Sequence, residues 1–248
     1  MKKAILVTSF GTSHRDTREK CLDLIQREVE EKYGSENVER AYTSRIIRRI
    51  IEKNEGIHIF DQEEGLKALK DRGFEKIITM SLHILDGIEY SKLDDKFGKI
   101  SKPLLADDED FKKIVENKEF NDLEGDDAIV FMGHGTESEA DYAYQKLQEE
   151  YLKAGKDNIF IATVEGKVTI KDVIEKMKGK GFRNILLKPL MIVAGDHAKN
   201  DMSSDDEDSW KTILKNEGYE VTSVLKGMGE YEFIRKMFMD KLEAVYLA

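Results

Sequence analysis

The chain has 248 residues and a formal net charge of −10, with 40% hydrophobic and 36% charged side chains. This composition predicts a globular protein with a large core and an ionised surface, and its acidic balance argues against nucleic-acid binding. No run approaches the ~20 apolar residues of a membrane-spanning helix. The single cysteine, Cys21, excludes an internal disulfide and a cysteine metal cluster, which is typical of a reducing compartment.

The first predicted element is a β-strand close to the N-terminus. Its run Ala4-Ile-Leu-Val-Thr-Ser-Phe is short for a signal peptide and leads into a turn and a charged helix, so we expect a cytoplasmic protein. Apolar runs and charged helix-periodic stretches then alternate, which predicts an α/β fold with a mainly parallel sheet. The predicted strands are Ala4–Ser9, Val38–Thr43, Lys76–Leu82, Ala128–Met132, Asn158–Val164, Asn184–Met191 and Glu220–Leu225. The predicted helices are Arg15–Tyr33, Ser44–Asn54, Gln62–Arg72, Ser138–Ala154, Ile170–Lys178, Asp205–Asn216 and Tyr231–Tyr246.

The chain also repeats itself. Ala4–Thr12 aligns with Ala128–Thr136, and the pattern that starts at Gly73 recurs in the same order from Gly181. These matches predict two similar α/β half-domains with mainly parallel sheets, facing one another across an active-site cleft. We expect an N-terminal half at 1–122 and a C-terminal half at 123–248, with the last helix free to pack back on the N-terminal half.

Three strand-length apolar runs end near glycine-flanked polar residues. His134 follows the run that starts at Ala128, Glu165 follows the next, and His197 follows the third. Because ligands bind at the carboxyl ends of parallel strands, these two imidazoles and one carboxylate can converge there. They form a candidate metal or proton-transfer site. Taken singly, His134 as a strand cap and Glu165 as an ordinary loop residue remain open alternatives.

Further candidate residues lie in the first half. His83 stands at a strand end with Glu89 close behind it, and pocket lining and strand capping are equally good interpretations of His83. His14 faces the same side of the expected crevice. His58 has no partner residue in sequence and is interpreted as structural.

Arginines follow the second predicted strand. Arg45, with Arg48 or Arg49, is suited to bidentate contacts with carboxylates. Because Arg48 and Arg49 are adjacent, they cannot share a helix face, and one of them is expected on the solvated surface. The sequence contains no phosphate-binding loop, no His-Glu-x-x-His zinc motif, no Gly-x-Ser-x-Gly elbow and no dinucleotide fingerprint.

Several stretches together resemble a known family. The strongest are Ala194-Gly-Asp-His-Ala-Lys-Asn-Asp-Met202 and the acidic Asp205–Trp210. The others are Val7–Ser13, Ala41–Ser44, Ser81–His83 with Gly87 and Glu89-Tyr90, Met132–Thr136, Ala162–Gly166 and Gly227–Glu230. Over nearly its whole length the chain resembles the anaerobic cobalt chelatases of vitamin B12 synthesis (sirohydrochlorin cobaltochelatases of the CbiK type), distant relatives of ferrochelatase.

The resemblance implies two facing α/β halves with a tetrapyrrole between them, and insertion of Co²⁺ into sirohydrochlorin or precorrin-2. It further implies that His134 and His197 bind the incoming metal and that Glu165 acts as a ligand or proton acceptor. The expected substrate-binding residues are Phe10, Gly11, Thr12, His14, Arg45, His83 and Glu89. Many relatives would carry a tyrosine at position 14, so the role of His14 stays open.

Co²⁺ is thus expected as the substrate metal, without an organic cofactor. The expected partners are the tetrapyrrole and a divalent metal, with neither nucleic acid nor a membrane, and a homo-oligomer is left open. Two alternatives remain at this stage. One is a ferrochelatase-type enzyme that inserts Fe²⁺ or Ni²⁺ into a tetrapyrrole, and the other is a non-catalytic tetrapyrrole or metal carrier.

Overall fold

A computed structural model describes residues 2–247 of the chain. Its strands are β1 (Lys3–Ser9), β2 (Val38–Tyr42), β3 (Lys76–Ser81), β4 (Ala128–Gly133), β5 (Ile159–Thr163), β6 (Asn184–Leu190) and β7 (Glu220–Ser223). Its α-helices are α1 (Arg15–Lys20), α2 (Leu22–Tyr33), α3 (Arg45–Glu55), α4 (Gln62–Asp71), α5 (Asp108–Glu116), α6 (Tyr142–Lys153), α7 (Ile170–Met177), α8 (Trp210–Asn216) and α9 (Glu232–Tyr246). None of the helices within residues 2–247 combines the length and apolar content needed to cross a membrane.

The first of two compact units contains the residues up to Ala106 and those from Gly229 onward. Its sheet has the order β2-β1-β3, with both strand pairs parallel. The strands are largely buried, and Leu6 of β1 packs with Leu66 and Leu69 of α4 on one face. Helix α9 contacts β3. Buried apolar strands of this kind are typical of parallel sheets that helices cover.

The second unit runs from Asp107 to Met228. Its sheet has the order β5-β4-β6-β7, again with all pairs parallel. Every residue of the central strand β4 is buried, whereas the edge strand β7 is partly exposed. On one face, Met132 and Leu187 pack with Ile174 of α7 and Trp210 of α8 in a single apolar cluster.

The boundary between the units lies before α5 and not at the expected residue 122. The segment around α5 packs with the second unit: the ring of Phe120 stacks on that of Phe131, with centroids 4.9 Å apart. The hydroxyl of Tyr151 also donates a hydrogen bond to Asn121 Oδ1 at 2.7 Å. The acid-rich stretch therefore belongs to the second unit, and the last helix belongs to the first.

The predicted α/β class with parallel sheets is confirmed, and the strand bounds differ from the predicted ones by one or two residues. The helix bounds differ more. The predicted helix 15–33 is interrupted at Cys21, and the helix predicted from Asp205 begins only at Trp210 because Ser209 Oγ accepts the Thr212 N–H at 3.2 Å. Helix α5 was not predicted, although Asp107 provides its N-terminal cap.

Candidate metal centre

Three neighbouring strands of the second unit bring the predicted metal residues together. His134 directly follows β4, Glu165 lies two residues after β5, and His197 follows β6 and precedes a π-helical turn over Ala198–Met202. Strands β5, β4 and β6 are adjacent and parallel, so their carboxyl ends lie at the same edge of the sheet. The loop residues that follow these strands therefore converge.

One potential ligand atom each from His134, Glu165 and His197 lies within 4.8 Å of the other two. The Nδ1 atom of His134 is 3.6 Å from Oε2 of Glu165, and the two imidazole rings are nearly perpendicular, with centroids 4.8 Å apart. The side chains are 43%, 58% and 31% exposed, in the order His134, Glu165 and His197. A metal ion can reach this set from solvent, and neutral nitrogen and carboxylate ligands suit a divalent transition metal.

Hydrogen bonds fix which nitrogen of each ring is available. His197 Nδ1 is 2.6 Å from Oδ2 of Asp201, one turn later. An ionised carboxylate only accepts, so Nδ1 carries the proton and Nε2 keeps its lone pair. Nδ1 of His134 lies 3.0 Å from the carbonyl oxygen of Gly135, which likewise leaves Nε2 as the basic nitrogen. The i to i+4 spacing of His197 and Asp201 is the sequence signal for this contact.

The loops after β4 and β5 touch through their backbones. The Glu165 N–H donates to the His134 carbonyl oxygen at 2.8 Å. Gly135 has a φ of +82°, and a Cβ atom there would lie 2.2 Å from the backbone nitrogen of Gly166. Only glycine permits both this conformation and this close approach. The glycines that flank His134 and Glu165 therefore set the separation of the two side chains.

The residues predicted after β1 lie in the first unit. Phe10 is 45% exposed. Gly11 has a φ of +93° and lies against the ring of Tyr42. Thr12 is buried, and its Oγ1 accepts the backbone N–H of His14 at 3.2 Å. Thr12 therefore shapes the turn into α1, while Phe10 presents an apolar ring to solvent.

His83 and Glu89 are both engaged within the first unit. His83 is only 9% exposed, with Nδ1 2.9 Å from Ser81 Oγ, and its Nε2 has no hydrogen-bond partner among the described residues. Burial lowers the pKa of His83 to about 4. Glu89 accepts hydrogen bonds from Lys92 and, at 2.6 Å, from Thr43. Burial tends to raise the pKa of Glu89, but these hydrogen bonds outweigh it and the pKa is lowered.

The arginines of α3 differ in their contacts. Arg48 is paired, with nitrogens 3.2 Å from Asp61 Oδ2 and 3.6 Å from Glu64 Oε2. Arg45 and Arg49 are exposed and lie one turn apart, and all three arginines line a cavity of about 270 Å³. Arg48 is thus occupied within the fold, and Arg49 is the residue that shares an exposed face with Arg45.

Comparison with known proteins gives a consistent result. The family model described as cobalt chelatase (CbiK) matches residues 3–246. The sirohydrochlorin cobaltochelatase of Salmonella typhimurium is 35% identical over 253 residues, which cover 98% of this chain and 96% of the relative. The sirohydrochlorin cobaltochelatase CbiKC of Nitratidesulfovibrio vulgaris is 32% identical over 268 residues, covering 100% and 92% of the two chains.

Solved structures agree on the fold. SirB from Bacillus subtilis, determined with Fe³⁺, has a TM-score of 0.65 at 12% identity, with 99% of this chain and 96% of that chain covered. A multi-domain protein from Deinococcus radiodurans with structural similarity to chelatases has a TM-score of 0.60 at 11% identity, with 97% of this chain and 55% of that chain covered. The family match spans nearly all of the sequence, and the chain therefore belongs to the cobalt chelatase (CbiK) family.

Proposed function

We propose that this protein is a cobaltochelatase that inserts Co²⁺ into sirohydrochlorin. The observation that carries the proposal is the convergence of His134, Glu165 and His197, whose potential ligand atoms lie within 4.8 Å of one another. Membership of the cobalt chelatase family and the names of the two relatives support the choice of metal and ring. Co²⁺ acts as a substrate, and the reaction needs no organic cofactor.

In this proposal His134 and His197 receive the ion. Neutral imidazoles replace water ligands on a borderline metal without adding charge that would hold the ion too tightly. The contact of His197 with Asp201 keeps the ring oriented and directs its Nε2 towards the ion. Nickel and copper exceed cobalt in intrinsic affinity for such ligands. We therefore expect loose metal selectivity in vitro, and we expect the cellular supply of each metal to decide which ion is inserted.

Glu165 is proposed to accept protons during metallation. Two pyrrole N–H protons must leave the ring as metal–nitrogen bonds form, so an acceptor near the metal is required. The Glu165 carboxylate lies 3.6 Å from His134 Nδ1 and is 58% exposed. An acceptor in that position can pass protons on to solvent.

The substrate carries several carboxylates, whereas the protein has a net charge of −10. Screening over about 8 Å weakens long-range repulsion at physiological ionic strength, but local cations must still attract the ring. We assign this role to Arg45 together with Arg49, since Arg48 is already paired. Phe10, Gly11, Thr12 and His14 are proposed to line the substrate position, with the exposed Phe10 ring offering an apolar contact.

His83 and Glu89 are proposed to contact the same substrate. The unpartnered Nε2 of His83 retains hydrogen-bonding capacity, and the low pKa of this histidine keeps the ring neutral at physiological pH. Glu89 is fixed by Thr43 and Lys92, so it is presented in one orientation. We propose that the reaction takes place in the cytoplasm. The single cysteine, Cys21, is a buried free thiol, which is consistent with a reducing compartment.

The test is to incubate the purified protein with sirohydrochlorin and Co²⁺ and to follow the absorption spectrum of the ring. We expect many turnovers per protein molecule, at a rate well above that of the uncatalysed mixture. Parallel reactions with Fe²⁺ and Ni²⁺, alone and in competition, identify the preferred metal. Binding of ring or metal without turnover would contradict the proposal and favour a carrier.

A further inference from the structure

A buried carboxylate joins the two loops that carry His134 and Glu165. Asp141 is 1% exposed. Its Oδ1 accepts the backbone N–H of Thr136 at 3.1 Å, and its Oδ2 accepts the backbone N–H of Lys167 at 2.9 Å. Each donor lies two residues after a member of the metal centre. One side chain thus bridges the loop after β4 and the loop after β5.

The loops have almost no room to shift at this junction. A Cβ atom on Gly166 would lie 2.2 Å from Asp141 Oδ1, and one on Gly135 would lie 2.2 Å from the nitrogen of Gly166. The backbone hydrogen bond from Glu165 to His134 runs beside them. The Asp141 carboxylate therefore packs directly against the backbone that sets the distance between the two ligands.

Capping of helix α6 does not explain the contacts that the Asp141 side chain makes. Asp141 ends a 3₁₀ turn over Glu139–Asp141 that leads directly into α6, and its backbone is already helical. Its side chain accepts no backbone N–H of α6. Both of its oxygens bind the site loops instead.

We infer that Asp141 is a positioning residue, which holds His134 and Glu165 at the separation that metal binding and proton transfer require. The inference rests on the proposed function, because it assumes that His134 binds the ion and that Glu165 accepts protons beside it. An aspartate is needed since both oxygens accept. An asparagine has only one acceptor oxygen, so it can hold one loop but not both.

The experiment compares Asp141→Asn with a matched control in the same unit. Asp127→Asn controls for the loss of one negative charge, because Asp127 is exposed and a single oxygen, Oδ2, accepts both of its backbone N–H groups, those of Arg183 at 2.7 Å and Asn184 at 2.9 Å. These contacts lie where β4 and β6 begin, at the opposite edge of the sheet. Co²⁺ is titrated without tetrapyrrole, at a temperature where circular dichroism shows each variant folded. The visible absorption of bound Co²⁺ serves as a second readout, because it reports coordination geometry.

We expect Asp141→Asn to raise the Co²⁺ Kd about 10- to 100-fold, the usual effect of losing a group that orients metal ligands, and to alter the absorption of bound Co²⁺. Asp127→Asn should leave the Kd within about twofold of the wild-type value, since Asp127 does not orient a metal ligand. An unchanged Kd in folded Asp141→Asn, or equal weakening in both variants, would overturn the inference.

A second variant covers the case in which Asp141→Asn does not fold. In Gly166→Ala the new Cβ atom would lie 2.2 Å from Asp141 Oδ1 and 2.5 Å from Thr163 Oγ1, so the carboxylate must move, and Co²⁺ binding should weaken in the same way. Unchanged affinity in that folded variant would also overturn the inference. Failure of the proposed function looks different: His134→Ala would then bind Co²⁺ as tightly as the wild type, whatever the result at Asp141.

Discussion

The carboxyl edges of the two parallel sheets present different chemistry. In the first unit, His83 is buried against Ser81, and Glu89 is tied to Thr43 and Lys92. In the second unit, the side chains that follow the equivalent strands are 31% to 58% exposed and share a cluster of potential ligand atoms. The strand orders β2-β1-β3 and β5-β4-β6 correspond, so strand arrangement alone does not produce a metal centre.

The difference lies in what each polar atom already binds. Nδ1 of His134 and of His197 each contacts an acceptor, and this leaves the second nitrogen of an accessible ring as a lone-pair donor. His83 also keeps a nitrogen without a hydrogen-bond partner, but its ring is only 9% exposed and belongs to no cluster of potential metal ligands among the described residues. A metal centre needs accessible donors in a group, and among the described residues His134, Glu165 and His197 of the second unit form a candidate for such a group.

The largest expected effect comes from removing either imidazole of the second unit. His134→Ala and His197→Ala should each lower kcat/KM for Co²⁺ insertion by more than about 100-fold, beyond the usual cost of losing a group that merely orients a ligand. The assay is steady-state turnover with sirohydrochlorin, and the thermal unfolding midpoint checks that each variant is folded. Near-native turnover in both variants would show that the site lies elsewhere.

Removal of the carboxylate separates proton transfer from metal binding. Glu165→Gln keeps the size of the side chain but abolishes its basicity, so kcat should fall about 100-fold, at the lower end of general-base contributions. Kd for Co²⁺, measured by titration, should change much less than kcat. A kcat within twofold of the wild type would exclude Glu165 as the proton acceptor.

Charge reversal in the first unit tests substrate attraction without changing a residue of the candidate metal centre. Arg45→Glu should raise KM for sirohydrochlorin about tenfold, the lower range expected for a lost charge-assisted hydrogen bond, with kcat nearly unchanged. Lys53→Glu is the matched control, because it makes the same charge change at an exposed position of the same helix. Equal KM values in the two variants would mean that only net charge matters.

A separate effect, on stability and not on activity, is expected at His83. Its folded pKa of about 4 lies below the ordinary value of 6.5, so between these pH values the unfolded chain binds a proton that the folded chain does not. The free energy of unfolding should therefore fall as the pH drops from 6.5 to 4, by at most about 3 kcal/mol from this group. Urea denaturation should show a shallower acid dependence in His83→Gln than in the wild type. Parallel curves for the two proteins would contradict this assignment.

Much of the fold was predictable because its signals are local. Apolar runs ending at Ser9, Gly133 and Leu190 mark strands by their composition, and the repeated pattern indicated two similar sheets. Helix ends were less predictable, since they depend on which residue caps the backbone. Asp205 and Ser209 both suit a cap, and only the folded chain shows that Ser209 is used.

The sequence by itself determined the parallel α/β class and indicated that His134, Glu165 and His197 lie together, because a polar residue directly after an apolar parallel strand lies at the carboxyl edge of the sheet. The tertiary structure decided which atoms of these residues are free, that Arg48 is already paired, and that Asp141 binds both loops. It also decided that residues 107–122 belong to the second unit. These outcomes depend on contacts between residues far apart in the chain, and no local pattern of side chains records such contacts.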